Sequence, residues 1–132
     1  MIHSNKKNFL DYFKYKISLK TLRPIYNPFN SYLTERKYDN AFSKFSKLTK
    51  IACCLPRTYV LKKENNYWKG VCKSLIFRFP DDLEILLIPS NKDINNSHGT
   101  IQIRSSSRFG QSDLGVNKKR VEDLFYELEK LS

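Results

Sequence analysis

A chain of 132 residues is long enough to bury the core of one domain and too short for two. Its formal net charge of +11, from 24 Lys and Arg against 13 Asp and Glu, favours an anionic partner: nucleic acid, an acidic membrane surface or an acidic protein. The sequence has no apolar run near the ~20 residues of a membrane-spanning helix, and no apolar segment of the secretory type after Lys6 and Lys7. We therefore expect a cytoplasmic protein.

The basic residues are most concentrated in an N-terminal arm, residues 1–34, where six of them accompany a single acid. One helical face of this arm is apolar, and its residues are Phe9, Leu10, Phe13 and Ile17. That pattern is typical of an amphipathic helix on an anionic membrane, so we expect a peripheral membrane contact through residues 1–20. A helix packed on the domain, or a basic arm without regular structure, is the alternative. Pro24 and Pro28 then predict a loop.

Beyond the arm we expect one domain over residues 35–132, which starts with a helix. Asp39 is the expected N-cap, and apolar residues recur at helical spacing from Ala41 to Ala52. Pro56 ends this helix at or before the residue that precedes it.

Four strands follow, and short connections separate most of them. The predicted strands are Thr58–Leu61, Tyr67–Phe79, Leu83–Ile88 and Gly99–Ser107. We predict a hairpin turn at residues 64–66, a tight turn at Phe79-Pro-Asp-Asp82, and an Asn-rich loop at residues 90–98.

The C-terminal helix is the clearest element of the sequence. One of its faces is lined by Val121, Leu124, Phe125, Leu128 and Leu131. Ser112 or Asp113 is expected to cap its start, near Gly115. The order helix, four strands, helix predicts an α+β domain: a four-stranded antiparallel sheet with the helices packed on one face.

The passage from the fourth strand to this helix is rich in polar residues. Arg104, Ser106 and Arg108 fall on one strand face, because side chains alternate along a strand. The helix start offers free backbone N–H groups and the positive end of the helix dipole. Together these groups predict a site for a carboxylate or a phosphate. The expected ligand-binding residues are Arg78, Arg104, Arg108, Ser112, Asp113 and Asn117.

Within this site the arginines would bind the ligand, Asp113 would cap the helix, and Asn117 would fix its first turn. The alternative is that the arginines pair with carboxylates, at Asp81, Asp82 or Asp113, and so join the sheet to the helix. The sequence leaves both interpretations open.

Two segments resemble the domain-of-unknown-function family 1499. Residues 75–84, Leu-Ile-Phe-Arg-Phe-Pro-Asp-Asp-Leu-Glu, are similar to the family's mid-domain segment. Residues 104–121 are similar to its Arg-Ser-x-Ser-Arg-x-Gly-x-Ser-Asp-x-Gly-x-Asn signature with a following Arg. The resemblance covers roughly residues 36–131. The Pro-Asn-Cys-Val segment of many relatives, often behind an export or membrane segment, has no counterpart in residues 1–34.

The family has no agreed activity, and its members occur in bacteria, cyanobacteria and plastids. The resemblance therefore implies an uncharacterised protein, with association with a photosynthetic complex as one expectation.

Patterns for catalysis or metal binding are weak. The adjacent carboxylates Asp81 and Asp82 point apart on a turn, and His3 and His98 have no metal-ligand neighbours in sequence. The three cysteines, Cys53, Cys54 and Cys72, lack metal-type spacing, and we expect buried or partly buried thiols. We expect no metal, no cofactor and no assignable catalytic residue.

The sequence thus favours a non-enzymatic accessory or interaction protein that recognises an anionic small molecule or a protein partner. One alternative is a nucleic-acid-binding module that combines the basic arm with aromatic residues stacking bases on a lysine-flanked sheet face, namely Tyr59, Tyr67, Trp68 and Phe77. A second alternative is a small hydrolase-like enzyme of unknown reaction.

Overall fold

Five strands and two helices form the part of the chain that the computed structural model describes, residues 21–90 and 97–131. In chain order they are β1 (Ser31–Tyr38), α1 (Ala41–Cys53), β2 (Thr58–Lys63), β3 (Tyr67–Lys73), β4 (Pro80–Pro89), β5 (Gly99–Ser107) and α2 (Val116–Lys130). The predicted amphipathic helix of the arm and most of the predicted Asn-rich loop, residues 91–96, lie outside the described residues.

The strands form one antiparallel sheet in the order β1-β5-β4-β3-β2. The central strands β4 and β5 pair from Asp81↔Ser107 to Pro89↔Gly99. Strand β1 pairs along its length with the other side of β5, and β2 forms the opposite edge of the sheet. The predicted α+β class, with an antiparallel sheet and helices on one face, is confirmed. The predicted four strands and the order starting with a helix are wrong.

The strand that the sequence does not predict is β1. Its sequence, Ser-Tyr-Leu-Thr-Glu-Arg-Lys-Tyr, has no apolar face that would predict a strand. The side chains that it turns towards helix α2 are polar or aromatic. Tyr32 donates a hydrogen bond to Glu122 (2.7 Å), and the Arg36 guanidinium lies 4.4 Å from the ring centre of Phe125. Its start at Ser31 places sheet residues before the domain boundary expected at residue 35.

The second predicted strand is too long, and the predicted turn after it is misplaced. Strand β3 ends at Lys73, which pairs with Pro80 at the start of β4. The chain therefore reverses over residues 74–79, where the Ser74 and Phe79 backbones are joined by a hydrogen bond of 3.0 Å. The mostly apolar residues from Leu75 to Phe79 predict a continuation of the strand, but in the structure their side chains are exposed in this turn.

The alternation of side chains divides the strand residues between two sheet faces. One face packs against both helices and forms the main core, which includes Phe45, Leu48, Trp68, Leu83, Ile85, Ile103, Leu124 and Phe125. The chain before β1 covers part of the other face. There Leu22 packs with Tyr67 and Leu86, and its N–H donates to Gln102 Oε1 at 2.8 Å.

Two local expectations need correction. The N-cap of α1 is Asn40, not Asp39, and it makes no side-chain capping hydrogen bond; Asp39 instead lies 2.9 Å from His98 Nδ1. Helix α1 ends at Cys53, within the predicted limit. Cys53 and Cys54 are exposed at that helix end, so only Cys72 is a buried thiol.

Across the described residues no helix is long and apolar enough to cross a membrane.

Close packing of Trp68 on Gly70 gives a test of this core. A methyl group at position 70 would lie 2.5 Å from Trp68 Cη2 and 3.1 Å from the Tyr59 carbonyl oxygen. We therefore expect Gly70→Ala to lower the free energy of unfolding by about 1–3 kcal/mol in urea titrations. In a Trp68→Phe background, which removes the clashing ring atoms, the same substitution should destabilise less. An equal loss in both backgrounds would contradict this account.

Candidate functional site

The strand directions bring four connecting segments to one end of the sheet. They are residues 26–30, 54–57, 74–79 and 108–115, and we call this region the loop end. Backbone hydrogen bonds join neighbouring segments. The N–H of Arg108 donates to the Pro80 carbonyl (3.1 Å), and that of Asp113 donates to the Phe29 carbonyl (2.9 Å). The loop end is therefore one continuous surface.

Backbone strain is concentrated at the loop end. The five residues with positive φ in the described part of the chain all lie there: Arg57, Arg78, Gly110, Leu114 and Gly115. Three of them are not glycine, and such residues adopt the left-handed region at a cost of order 1 kcal/mol each. Other contacts at the loop end must hold these conformations.

The strongest of those contacts converge on Asn117, which is fully buried in the first turn of α2. Its Oδ1 accepts hydrogen bonds from Ser105 Oγ (2.6 Å) and Arg120 Nη1 (2.9 Å). Its Nδ2 lies 2.6 Å from Asp113 Oδ2 and 2.9 Å from the Asn30 carbonyl. One amide side chain thus connects α2, β5 and the segment before β1.

An ion pair beside Asn117 completes the link between sheet and helix. Arg120 Nη2 lies 3.0 Å from Asp81 Oδ2, and the two side chains are only 13% and 6% exposed. Arg120 also donates to Ser105 Oγ at 3.0 Å. We call Asp81, Ser105, Asp113, Asn117 and Arg120 the clasp.

The clasp contains two of the six predicted site residues, Asp113 and Asn117. Asp113 accepts hydrogen bonds from the N–H groups of Gly115 (2.8 Å) and Asn117 (3.2 Å) at the start of α2. The N-cap residue itself is Gly115, not Ser112 or Asp113, and it makes no side-chain capping hydrogen bond. Arg120 was not among the predicted residues. Its position three residues after Asn117 places both on one helical face, and this spacing is the signal that identifies it.

Arg104 lies on the face of the sheet away from the helices. It is buried, its Nε donates to the Arg23 carbonyl at 3.0 Å, and its Nη1 lies 3.7 Å from Glu84 Oε1. The alternation that turns Ile103 towards the helices turns Arg104 away from them. Arg104 therefore fixes the segment before β1 and does not meet Asn117.

The remaining three predicted residues lie at the surface of the loop end. Arg108 donates two hydrogen bonds to Asp82, at 3.0 and 2.8 Å. Partial burial raises the pKa of Asp82, but the Arg108 guanidinium outweighs it and holds this pKa below its ordinary value. Ser112 Oγ accepts the N–H of Leu114 at 3.3 Å, and Arg78 is exposed in the turn between β3 and β4. The six predicted residues therefore do not converge on one pocket.

A pocket of ≈ 240 Å³ opens beside the clasp, between the end of α1, strands β2 and β3, and α2. Its lining is rich in charged residues, with Arg57, Lys73, Lys119, Arg120 and Asp123. Cys72 also lines it, and burial raises the pKa of this thiol. A protonated thiol is a poor nucleophile.

The aromatic residues expected to stack nucleic-acid bases do not share one sheet face. Trp68 is fully buried towards the helices, and Tyr67 is buried on the opposite face. Tyr59 is exposed on the edge strand β2, while Phe77 is exposed in the turn at the loop end. These four residues therefore form no common stacking surface.

The protein is thus of the α+β class, and a buried Asp–Arg–Asn cluster joins its C-terminal helix to a five-stranded antiparallel sheet. The model of a family described as "Protein of unknown function (DUF1499)" matches residues 15–128, and the chain belongs to this family. The match begins before residue 36, where the resemblance was expected to start, and includes β1. No curated protein and no solved structure matches the chain.

Removal of the central amide should loosen the whole clasp. We expect Asn117→Ala to lower the free energy of unfolding by about 3 kcal/mol, because buried partners on Ser105 and Arg120 lose hydrogen bonds. Urea titration measures the loss, and amide hydrogen exchange should become faster at residues 108–115. Asn27→Ala, which removes exposed hydrogen bonds of the same type, is the control. Equal effects of the two variants would contradict the role of Asn117.

The pKa of Asp82 offers a second test. Because this pKa is lower in the folded protein than in the unfolded chain, the Asp82–Arg108 pair stabilises the fold above the unfolded pKa, about 3.9. The contribution is lost as the pH falls through the folded pKa. We expect Arg108→Gln to raise the pKa of Asp82 in a carboxyl-carbon NMR titration and to weaken the loss of stability on acidification. An unchanged Asp82 pKa in this variant would show that Arg108 does not set it.

Proposed function

We propose that this protein is a non-enzymatic accessory or interaction protein that recognises an anionic ligand or partner at the loop end. The observation that carries the proposal is the unequal pairing of charges there. The carboxylates of the loop end are engaged within the molecule: Asp81 by Arg120, Asp82 by Arg108, Asp113 by backbone N–H groups, and Asp123 by Lys119.

Several cations of the loop end have no such partner. Within the described residues, Arg57, Lys73 and Arg78 make no ion pair with a carboxylate. Arg57 Nε donates to the Lys73 carbonyl (3.0 Å), and Lys73 Nζ lies 5.4 Å from the ring centre of Tyr59. A surface where acids are neutralised and cations are not carries a positive potential that attracts anions.

The six predicted site residues then take two kinds of role. Arg78, Arg108 and Ser112 are exposed and would contact the ligand or partner. Asp113 and Asn117 are positioning residues for the segment that carries Arg108 and Ser112, whereas Arg104 holds the chain before β1. The pocket beside the clasp supports the proposal, because Arg57 and Lys73 line it without a carboxylate partner, whereas Lys119 and Arg120 of the same lining are paired with Asp123 and Asp81.

Titration with sodium pyrophosphate, followed by amide chemical shifts, tests this function directly. We expect shifts that saturate and are largest near Arg57, Lys73 and Arg78, and that weaken with added salt. Arg57→Gln/Lys73→Gln should reduce the affinity about 100-fold or more, since each lost charge-assisted hydrogen bond contributes roughly 1.5–3 kcal/mol.

The matched control is Lys62→Gln/Lys63→Gln, which removes two exposed lysines from β2 away from the loop end. Small shifts spread evenly over all basic surfaces, or equal effects of the two double variants, would refute recognition at the loop end.

A further inference from the structure

The loop end also exposes the most accessible apolar side chains of the described residues. Six large hydrophobic side chains are more than 70% exposed, and all lie there: Tyr26, Phe29, Leu75, Ile76, Phe77 and Leu114. Leu75, Ile76 and Phe77 form the tip of the turn between β3 and β4, and Leu114 is 94% exposed. Exposed apolar side chains gathered in one region mark an interaction surface.

Cations border these apolar tips. Arg78 directly follows Phe77, and Lys73 lies at the end of the strand that leads into the same turn. Arg57 is held beside that strand end by its hydrogen bond to the Lys73 carbonyl. Apolar side chains with a cationic border suit an anionic lipid surface. The apolar side chains enter the boundary between headgroups and acyl chains, and the cations contact the lipid phosphates.

We propose that the loop end docks on an anionic lipid bilayer. Residues 75–77 and Leu114 enter the interface, while Arg57, Lys73 and Arg78 contact lipid phosphates. This inference rests on the proposed function, recognition of an anionic partner at the loop end, and names that partner as a membrane surface. It places the contact on the folded domain, and not on residues 1–20.

Charge and shape favour a bilayer over a second copy of this chain. Two loop ends facing each other would bring the unpaired cations Arg57, Lys73 and Arg78 of both copies together, and like charges repel. The apolar tips also project from the fold, since they are 71–94% exposed, and Phe77 is stacked on Phe79 with ring centres 5.5 Å apart. Projecting tips enter a fluid lipid interface without needing a complementary rigid surface.

Vesicle sedimentation of the full chain tests the inference. We expect binding to phosphatidylcholine vesicles that contain phosphatidylglycerol, and weak binding to phosphatidylcholine alone. Ile76→Ser/Phe77→Ser should weaken binding on the order of 100-fold, because each apolar side chain removed from the interface costs about 10-fold or more. The control Tyr126→Ser/Leu131→Ser removes two other exposed apolar side chains, 62% and 60% accessible, from α2 and its end, and should bind like the unmodified protein.

Three results would overturn the inference. The first is unchanged binding of Ile76→Ser/Phe77→Ser. The second is a contrast between two variants: Ile76→Ser/Phe77→Ser still binds vesicles, but a variant of the arm does not. In that arm variant Lys6, Lys7, Lys14 and Lys16 are changed to Gln. The third is that the protein does not bind vesicles but forms concentration-dependent dimers in analytical ultracentrifugation, and that Ile76→Ser/Phe77→Ser abolishes these dimers.

The two proposals can fail separately. Pyrophosphate shifts at the loop end without vesicle binding would refute the bilayer contact and leave anion recognition standing. Absence of both pyrophosphate shifts and vesicle binding would refute both.

Discussion

The fold depends on a buried polar junction between the first turn of α2 and the end of the sheet. Charged and amide groups taken out of water destabilise a protein unless all of them find partners. Here Asp81 pairs with Arg120, and the Asn117 amide bonds to Ser105, Asp113 and the chain before β1. Because one junction joins these elements, it also fixes the segments at the loop end.

This junction explains how the loop end presents its surface. Asp113 and the buried Asn117 turn towards the sheet, whereas the apolar side chains of Leu75, Ile76, Phe77 and Leu114 are exposed. The strained backbone at Arg78 and Leu114 persists because the surrounding hydrogen bonds hold it. Under the proposed function, the segments that the clasp stabilises are also those that would contact the partner. The apolar tips would face the bilayer, and the clasp would keep them in place.

Much of the architecture could be predicted from the sequence, because apolar periodicity marks both helices and the alternation along β5 is clear. Strand β1 could not, since it packs through Tyr32 and Arg36 and not through an apolar face. Residues 75–79 were wrongly predicted as part of a strand, because they are mostly apolar and periodicity does not distinguish a buried strand from an exposed turn. At the site, residue types indicated that arginines and carboxylates would meet, but not which ones. The pairing of Asp81 with Arg120 depends on the packing of α2.

Hydrogen exchange of the full chain, with and without vesicles containing phosphatidylglycerol, tests the central claim most directly. The account predicts slower exchange at residues 26–30, 74–79 and 108–115 when vesicles are present, and little change at residues 64–66, the turn at the opposite end of the sheet. Protection confined to residues 1–20, or to the edge strand β2, would contradict it. The loop end would then be an exposed part of the fold that binds no membrane.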